Sequence, residues 1–227
     1  MRNIAVILAG GIGSRVGGNQ PKQLLPLADG RSILEHAVEA FEQNACIDEI
    51  CIVMHPDYVA HAEAMLQRNT WQKVAHIIPG GKERWESSVN AINYYQYALS
   101  AEDIAQTNLL FHDAARPYVS QDIITAVCSA LRSHDAVTVA VPSTDTVYVV
   151  ADERIAAIPP RQTIMRAQTP QAFRLPLIAE AYERALQQPD LCVTDDCGVV
   201  HAYMPKTPIH IVLGNEQNRK ITFRDDL

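Results

Sequence analysis

Short apolar runs alternate along the chain with segments that have the periodicity of amphipathic helices. The apolar runs lie at residues 4–8, 49–54, 74–78, 108–112, 136–141 and 209–213. The helical segments lie at residues 33–41, 56–66, 86–99, 123–131 and 175–185, and Ser32 can cap the first of them. Continuous apolar runs are typical of strands buried on both faces, and their alternation with helices indicates βαβ units. The sequence therefore predicts an α/β chain with a Rossmann-like, three-layer fold and a mainly parallel sheet.

One region, at about residues 143–160, leaves this alternation. Residues 146–150 and 154–158 can pair as a small hairpin, so we expect a β-arm that projects from the body. The length of 227 residues suits one domain over residues 1–227 that carries this arm as an insert.

The chain is acidic, with a formal net charge of -7 at pH 7. Proteins that bind DNA or RNA through the phosphates are usually basic, so we expect no nucleic-acid partner. No apolar stretch reaches membrane length, so we expect no membrane association. The five cysteines are odd in number, and Cys192 and Cys197 have no His/Cys cluster nearby. These features predict a cytoplasmic protein with reduced thiols and no zinc site.

A glycine-rich segment, LAGGIGSR at residues 8–15, follows the first apolar run and is followed by PKQ at residues 21–23. Glycines let the backbone approach a polyphosphate, and Arg15 and Lys22 add donors for phosphate oxygens. The segment lacks the Gly-Lys-Ser/Thr of a Walker loop and fits a dinucleotide fingerprint poorly. A glycine turn after a strand is often only a tight turn, but the two cations favour a triphosphate site.

Polar clusters follow three of the predicted strands: the glycine-rich segment, the loop after residue 78, and HDAARP at residues 112–117. In parallel α/β sheets ligands bind at the carboxyl ends of the strands, so we expect the three clusters to form one site. Asp113 ends a strand, and a carboxylate is a ligand that Mg²⁺ prefers beside nucleotide phosphates. The alternatives for Asp113 are that it caps the next turn or pairs with Arg116.

Several motifs, in order over nearly the whole chain, resemble one family. They are the glycine-rich segment with PKQ, Gly80-Gly81 with Arg84 and Ser87, the HDAARP segment, Asp145-Thr146, QTPQ at residues 168–171, Thr194-Asp195-Asp196 and Lys220. The chain resembles the IspD family of cytidylyltransferases, which make CDP-methylerythritol from CTP and 2-C-methyl-D-erythritol 4-phosphate. The resemblance implies a nucleotidyltransferase fold and an attack by the acceptor's phosphate on the α-phosphorus of CTP, with release of pyrophosphate.

The resemblance also implies roles for individual residues. The catalytic residues would be Arg15, Lys22 and Lys220, although the simple interpretation of Lys220 is a solvated surface lysine. The nucleotide-binding residues would be Leu8, Ala9, Gly10, Gly11, Gly13, Gly80, Gly81, Ser87, Asp113 and Ala114. Asp113 would hold Mg²⁺, the one cofactor that the resemblance implies. Lys82 stands where well-known members carry an acidic residue, and it is given no role.

For the acceptor phosphate, the resemblance implies a pocket formed by Arg116, Thr146, Arg161, Thr169 and Thr194. Arg116 would contact the substrate or brace Asp113, and the simple interpretation of the threonines is packing on a strand face. In the family the arm crosses to a second subunit. The partners are therefore expected to be CTP, a small polyol phosphate and a second copy of the chain.

Three other functions remain open from the sequence. Ribitol-5-phosphate cytidylyltransferases share the fold and motifs and make CDP-ribitol for teichoic acid or capsule. A nicotinamide-dependent oxidoreductase would need an acidic residue at the end of the second strand, where Met54-His55-Pro56 stands instead. A nucleotide-sensing module without turnover is the third alternative.

Overall fold

The structure, a computed structural model, describes residues 1–11, 21–188 and 193–226. Within these ranges the strands are β1 (Arg2–Ala9), β2 (Glu49–Met54), β3 (Val74–Pro79), β4 (Thr107–Asp113), β5 (Ala136–Pro142), β6 (Val149–Ala151), β7 (Arg154–Ala157), β8 (Met165–Arg174) and β9 (His210–Leu213). The helices are α1 (Ile33–Glu42), α2 (Val59–Arg68), α3 (Arg84–Ala98), α4 (Ala101–Ala105), α5 (Gln121–Ala130), α6 (Leu175–Ala185) and α7 (Asp196–Tyr203).

Seven of the strands form one sheet in the order β3-β2-β1-β4-β8-β5-β9. Only β8 runs against its neighbours β4 and β5, and the other pairs are parallel. The register aligns Leu8 of β1 with Asp113 of β4, and Ala9 with Met54 of β2. The carboxyl ends of the central strands therefore meet at one edge of the sheet, and the predicted, mainly parallel α/β fold is confirmed.

Alternate side chains of β1 face two separate layers of core. Ala5 and Ile7 pack with buried residues of α1, α2 and α5, whereas Ile4 and Val6 pack with those of α3, α6 and α7. Each of these four side chains has no exposed surface, and full burial of a Val or Ile stabilises a fold by about 1.5–3 kcal/mol. This two-sided burial explains why β1 is an uninterrupted apolar run from Ile4 onward.

Helix α1 begins where Ser32 predicted that it would. The hydroxyl of Ser32 accepts from the backbone N–H of Glu35 at 3.2 Å, and the Glu35 carboxylate accepts from the backbone N–H of Ser32 at 2.7 Å. This reciprocal capping box satisfies two N–H groups that the first turn of a helix leaves without partners. The predicted helix near residue 56 instead begins with a 3-10 turn, Pro56–Tyr58, before α2.

Strand β8 was not predicted, and neither were helices α4 and α7. The centre of β8 carries polar residues and a proline, which cannot donate to a strand ladder. The ladder with β5 steps over that point, because Thr138 pairs with Gln171 and the next residue, Val139, pairs with Gln168. This irregularity lets a polar, proline-containing segment lie inside the sheet.

The two strands of the predicted arm do pair, and both are exposed along their whole length. The turn between them is formed by Asp152 and Glu153, with φ angles of 48° and 59°. Positive φ at both central residues is typical of the two-residue turns that match the twist of a hairpin.

Two further predictions concern membrane association and the state of the cysteines. Within the described residues no helix has the length and apolar character needed to cross a membrane. Cys46, Cys51, Cys128 and Cys197 are free thiols, and Cys192 lies outside the described residues.

Candidate active site

A cleft of about 270 Å³ lies at the carboxyl ends of β1 and β4, beside the loop that follows β3. Of the residues predicted for the site, it is lined by Leu8, Ala9, Gly10, Gly11, Lys22, Gly81, Ser87, Asp113, Ala114 and Lys220. Thus the three polar clusters that follow separate strands do come together. Gly80 lines an adjoining cavity with His55 and Pro56.

Two glycines approach each other closely around the hydroxyl of Ser87. A Cβ atom at Gly10 would lie 2.9 Å from Ser87 Oγ, and a Cβ atom at Gly80 would lie at the same 2.9 Å. The hydroxyl also accepts from the backbone N–H of Gly81 at 3.1 Å. Any larger residue at Gly10 or Gly80 would push these segments apart, so the glycines are required by this close approach.

Gln23 fixes the carbonyls of the glycine-rich segment. Its buried amide Nε2 donates to the carbonyl of Ala9 and, at 2.8 Å, to that of Gly11. The side chain therefore ties the segment after β1 to the turn that carries Lys22. Sequence reasoning quoted Gln23 within the PKQ motif without a role, because its two acceptors are backbone atoms.

Asp113, at the end of β4, lies between two cations. Arg84 Nε donates to its Oδ1 at 3.0 Å, and Lys220 Nζ donates to its Oδ2 at 2.7 Å. Burial acts to raise the pKa of Asp113, but the charges of Arg84 and Lys220 outweigh burial and hold the pKa well below its usual range. The carboxylate is therefore ionised whenever the protein is folded near neutral pH.

Arg84 joins this carboxylate to a second one in the core. Its Nη1 donates to Asp196 Oδ2 at 2.8 Å, and Asp196, which has no exposed surface, also accepts from Tyr182 Oη at 2.6 Å. Burial acts to lower the pKa of the guanidinium. The carboxylates of Asp196 and Asp113 raise it by more than burial lowers it, so the net shift is upward. Sequence reasoning gave Arg84 no role.

His112 supports Asp113 from behind. Its Nε2 lies 3.0 Å from the carbonyl of Arg116, which can only accept, so Nε2 carries the proton. Thr169 Oγ1 donates to His112 Nδ1 at 3.0 Å and accepts from the backbone N–H of Asp113 at 3.1 Å. Burial lowers the pKa of His112 to about 4, so the ring is neutral. These contacts give His112 a structural role beside Asp113.

The two lysines of the cleft are both held by oxygen atoms of the protein. Lys22 Nζ donates to the carbonyl of Ile221 at 2.7 Å, and Lys220 is held by Asp113 as described above. Lys220 is exposed, but its ammonium is paired with Asp113 and lines the cleft. The pair brings two positive charges to the mouth of the glycine-rich segment.

A family model described as 2-C-methyl-D-erythritol 4-phosphate cytidylyltransferase, IspD, matches residues 3–227. The chain belongs to the IspD family. A 2-C-methyl-D-erythritol 4-phosphate cytidylyltransferase of Thermobifida fusca is 47% identical over 233 residues, covering 100% of this chain and 90% of that protein. A bifunctional ribulose 5-phosphate reductase/CDP-ribitol pyrophosphorylase of Haemophilus influenzae is 38% identical, covering 100% of this chain and 47% of that protein.

The fold agrees with solved IspD structures. A 4-diphosphocytidyl-2C-methyl-D-erythritol synthase from Anaerococcus prevotii superimposes with a TM-score of 0.84 at 28% identity, over 99% of this chain and 92% of that one. The family resemblance inferred from the motifs is therefore confirmed, and the oxidoreductase alternative is set aside.

The other described residues to which the resemblance gave a role in the acceptor pocket do not line the cleft. Thr146, Arg161 and Thr194 are exposed, and Arg161 Nη1 donates to the carbonyl of Thr144 at 3.3 Å. Thr169 is buried behind Asp113, where its hydroxyl is already bonded. Gly13 and Arg15 lie outside the described residues.

Arg116 neither lines the cleft nor hydrogen-bonds the Asp113 carboxylate. Its Nη1 donates to the carbonyl of Asn218 at 2.7 Å, and its Nη2 donates to that of Ala167 at 3.3 Å. The guanidinium thus connects the HDAARP turn to the segment that carries Lys220. The charge of Arg116 also helps to lower the pKa of Asp113, and a contact with the substrate stays a prediction.

Proposed function

We propose that this chain transfers CMP from CTP to the phosphate of 2-C-methyl-D-erythritol 4-phosphate and releases pyrophosphate. The observation that carries the proposal is the cleft itself, where the glycine-rich segment, two lysines and an ionised aspartate meet at the strand ends. Membership of the IspD family and the Thermobifida fusca relative support the choice of nucleotide and acceptor.

The reaction needs alignment and charge neutralisation rather than a covalent enzyme intermediate. An oxygen of the acceptor's phosphate forms a bond to the α-phosphorus of CTP as the bond to the pyrophosphate oxygen breaks. Lys22 and Lys220 would exchange Ile221 and Asp113 for phosphate oxygens and neutralise the charge that develops there. Arg15 is proposed to act with them, on the resemblance alone.

The narrow space around Ser87 is proposed to recognise the cytosine base. Gly10 and Gly80 allow the backbone to approach there, and the hydroxyl of Ser87, which accepts from the N–H of Gly81, lines the cleft. A flat heterocycle with polar edges fits a space lined by backbone and one hydroxyl. A site that hydrogen-bonds the edge of one base strongly rejects a base that cannot make the same bond. This space is therefore the part of the cleft best suited to select CTP over other nucleotides.

We also propose Mg²⁺ as the cofactor. Mg²⁺ is commonly held by one or two carboxylates together with substrate phosphates, and Asp113 supplies such a carboxylate at the cleft. Within the described residues there is no cluster of three or more His, Cys, Asp or Glu side chains, so the nucleotide would supply most of the ligands. Bound there, Mg²⁺ would neutralise negative charge on the phosphates.

The acceptor site is proposed to be completed by a second copy of the chain. Thr146 and Arg161 are exposed at the two ends of the arm segment and lie outside the cleft. The arm also exposes large apolar side chains, among them Val150, Ile155 and Ile158. A homodimer in which each arm covers the partner's cleft would bury those side chains and supply both polar residues. We further propose that this activity is cytoplasmic and serves isoprenoid precursor synthesis, a proposal that membership of the IspD family supports.

The test is pyrophosphate release with CTP and Mg²⁺, measured in parallel with 2-C-methyl-D-erythritol 4-phosphate and ribitol 5-phosphate at matched concentrations. We expect a strong preference for the methylerythritol compound. A preference for ribitol 5-phosphate would transfer the proposal to the chemistry named for the Haemophilus influenzae relative. Release only after Mg²⁺ is added, and its loss with EDTA, tests the cofactor. Binding of CTP without turnover would favour a nucleotide-sensing module.

A further inference from the structure

Asn218 is a fully buried polar residue two positions before Lys220, and the reaction outlined above does not use it. Its side-chain Nδ2 donates to the carbonyl of Thr169 at 2.8 Å and to Gln168 Oε1 at 3.2 Å. Its own carbonyl accepts from Arg116 Nη1 at 2.7 Å. One residue thus fastens its segment both to β8 and to the turn after β4.

The segment held by Asn218 carries one lysine of the cleft and the acceptor of the other. Lys220 reaches Asp113, and the carbonyl of Ile221 accepts from Lys22. Ile221 has no exposed surface, and its N–H donates to the carbonyl of Ala115 at 2.8 Å. Displacement of this segment would therefore move Lys220 and the acceptor of Lys22 together.

The hydrogen bonds of the Asn218 side chain require a donor at the position of Nδ2. The carbonyl of Thr169 can only accept, so the Asn218 atom facing it must be a donor. An aspartate would direct an oxygen at that carbonyl, and an alanine would leave the buried carbonyl without this donor, which costs about 1–3 kcal/mol. A residue that served merely to fill the space would not need this chemistry.

We propose that Asn218 is a positioning residue that acts through Lys220, holding its ammonium at Asp113 in the cleft. The catalytic consequence rests on the proposed cytidylyltransferase function, whereas the structural consequence does not. Misplacement of a catalytic group by about 1 Å can lower turnover about 100-fold. Removal of the Asn218 amide releases a side chain that anchors the segment to β8 two residues from the lysine.

The matched control is Asn44, which lies at the opposite end of the sheet. It is also buried, and its Nδ2 donates to Gln121 Oε1 at 2.8 Å and to Thr125 Oγ1 at 3.1 Å. Asn44→Ala and Asn218→Ala should both lose stability, since each removes a buried amide whose Nδ2 donates to two acceptors or more. Asn218→Ser keeps one donor and is made in parallel, so that a folded variant is at hand if the alanine change unfolds the chain.

Turnover is measured for these variants alone and in a Lys220→Ala background. We expect kcat to fall about 100-fold for Asn218→Ala, with KM for CTP changed much less and Asn44→Ala near wild type. In the Lys220→Ala background, the Asn218 change should have little further effect, because contacting residues that act together are not additive. Additive losses in that background, or equal losses for Asn44→Ala and Asn218→Ala, would overturn the proposal.

A second measurement needs no turnover. The rate at which an amine-acylating reagent labels Lys220 is followed by peptide mass spectrometry on the ligand-free protein, with the exposed Lys206 as internal reference. Release from Asp113 should raise the relative rate several-fold in the Asn218 variants and leave it unchanged in Asn44→Ala. An unchanged rate in a folded Asn218 variant would refute the positioning role. A wild-type protein that releases no pyrophosphate with either acceptor would refute the proposed function instead, while the labelling result would still decide the role of Asn218.

Discussion

Replacement of Arg84 by methionine tests the charge bridge that joins the cleft to the core. Arg84 donates to Asp113 through Nε and to Asp196 through Nη1, at 3.0 Å and 2.8 Å. Methionine keeps a long, flexible side chain and removes the charge. In the variant Asp113 keeps Lys220 as its partner, whereas Asp196 keeps only the hydroxyl of Tyr182 among these charged and polar side chains.

The magnitude follows from the burial of Asp196. Because this carboxylate has no exposed surface, water cannot replace the lost guanidinium. Removal of one partner of a buried ion pair leaves an uncompensated charge and costs about 3–5 kcal/mol. We therefore expect the free energy of unfolding to fall by that amount, which is a large part of the roughly 5–15 kcal/mol that stabilises a typical protein.

Urea unfolding at neutral pH measures this loss. The double variant Arg84→Met/Asp196→Asn should recover more than half of it, because the amide removes the unpaired charge. Arg31→Met is the matched control: Arg31 Nε donates to Asp29 Oδ2 at 2.8 Å in similar geometry, but both side chains are exposed, so we expect little change. A loss below about 1 kcal/mol for Arg84→Met, or no recovery in the double variant, would refute the reasoning.

Three further predictions follow from the same region. Burial lowers the pKa of His112 in the folded protein to about 4, against an ordinary value of 6.5. The unfolded chain therefore binds the proton first, and the free energy of unfolding should fall by roughly 3 kcal/mol as the pH decreases from 6.5 to 4. His112→Gln should flatten this pH dependence in urea unfolding. Gly10→Ala should lower the melting temperature of the ligand-free protein, whereas Gly11→Ala, whose added Cβ would meet no atom of the described residues within 4 Å, should not; equal shifts would contradict the close approach to Ser87. Lys22→Ala should keep its melting temperature and lose turnover by orders of magnitude in the pyrophosphate assay, and near-normal turnover would show that the reaction centre is misplaced.

The central strands and most helices were predictable because their signals are local. The buried part of β1, from Ile4 to Ala9, is apolar at every position, as is typical of a strand covered on both faces. β8 was not predictable in this way, since its central residues are polar and include Pro170. Their hydrogen bonds go to groups brought together only by the fold, such as Asp195 for Gln171.

The site was predictable to the same extent. Asp113 and the glycine-rich segment follow strands directly, so topology alone brings them to one edge of the sheet. Arg84 differs because its two partners are 29 and 112 positions away in the sequence, and neither spacing has a local signature. For the same reason Asn218, bonded to residues 49 and 50 positions away, reads in the sequence as one more polar residue of a loop.

The cleft also shows how a chain with a net charge of -7 can bind a polyanion. A local concentration of Lys and Arg side chains is sufficient to attract the polyanion, provided that acceptors hold these side chains in place before the ligand binds. Lys22 donates to the carbonyl of Ile221 and Lys220 donates to the carboxylate of Asp113, and phosphate oxygens can replace these acceptors. Arg84 is held by two carboxylates, one of them fully buried, and an exchange there would leave Asp196 uncompensated. The lysines, and not Arg84, are therefore the cations that should change partners when the triphosphate binds, and Arg84 should keep Asp113 in place while they do.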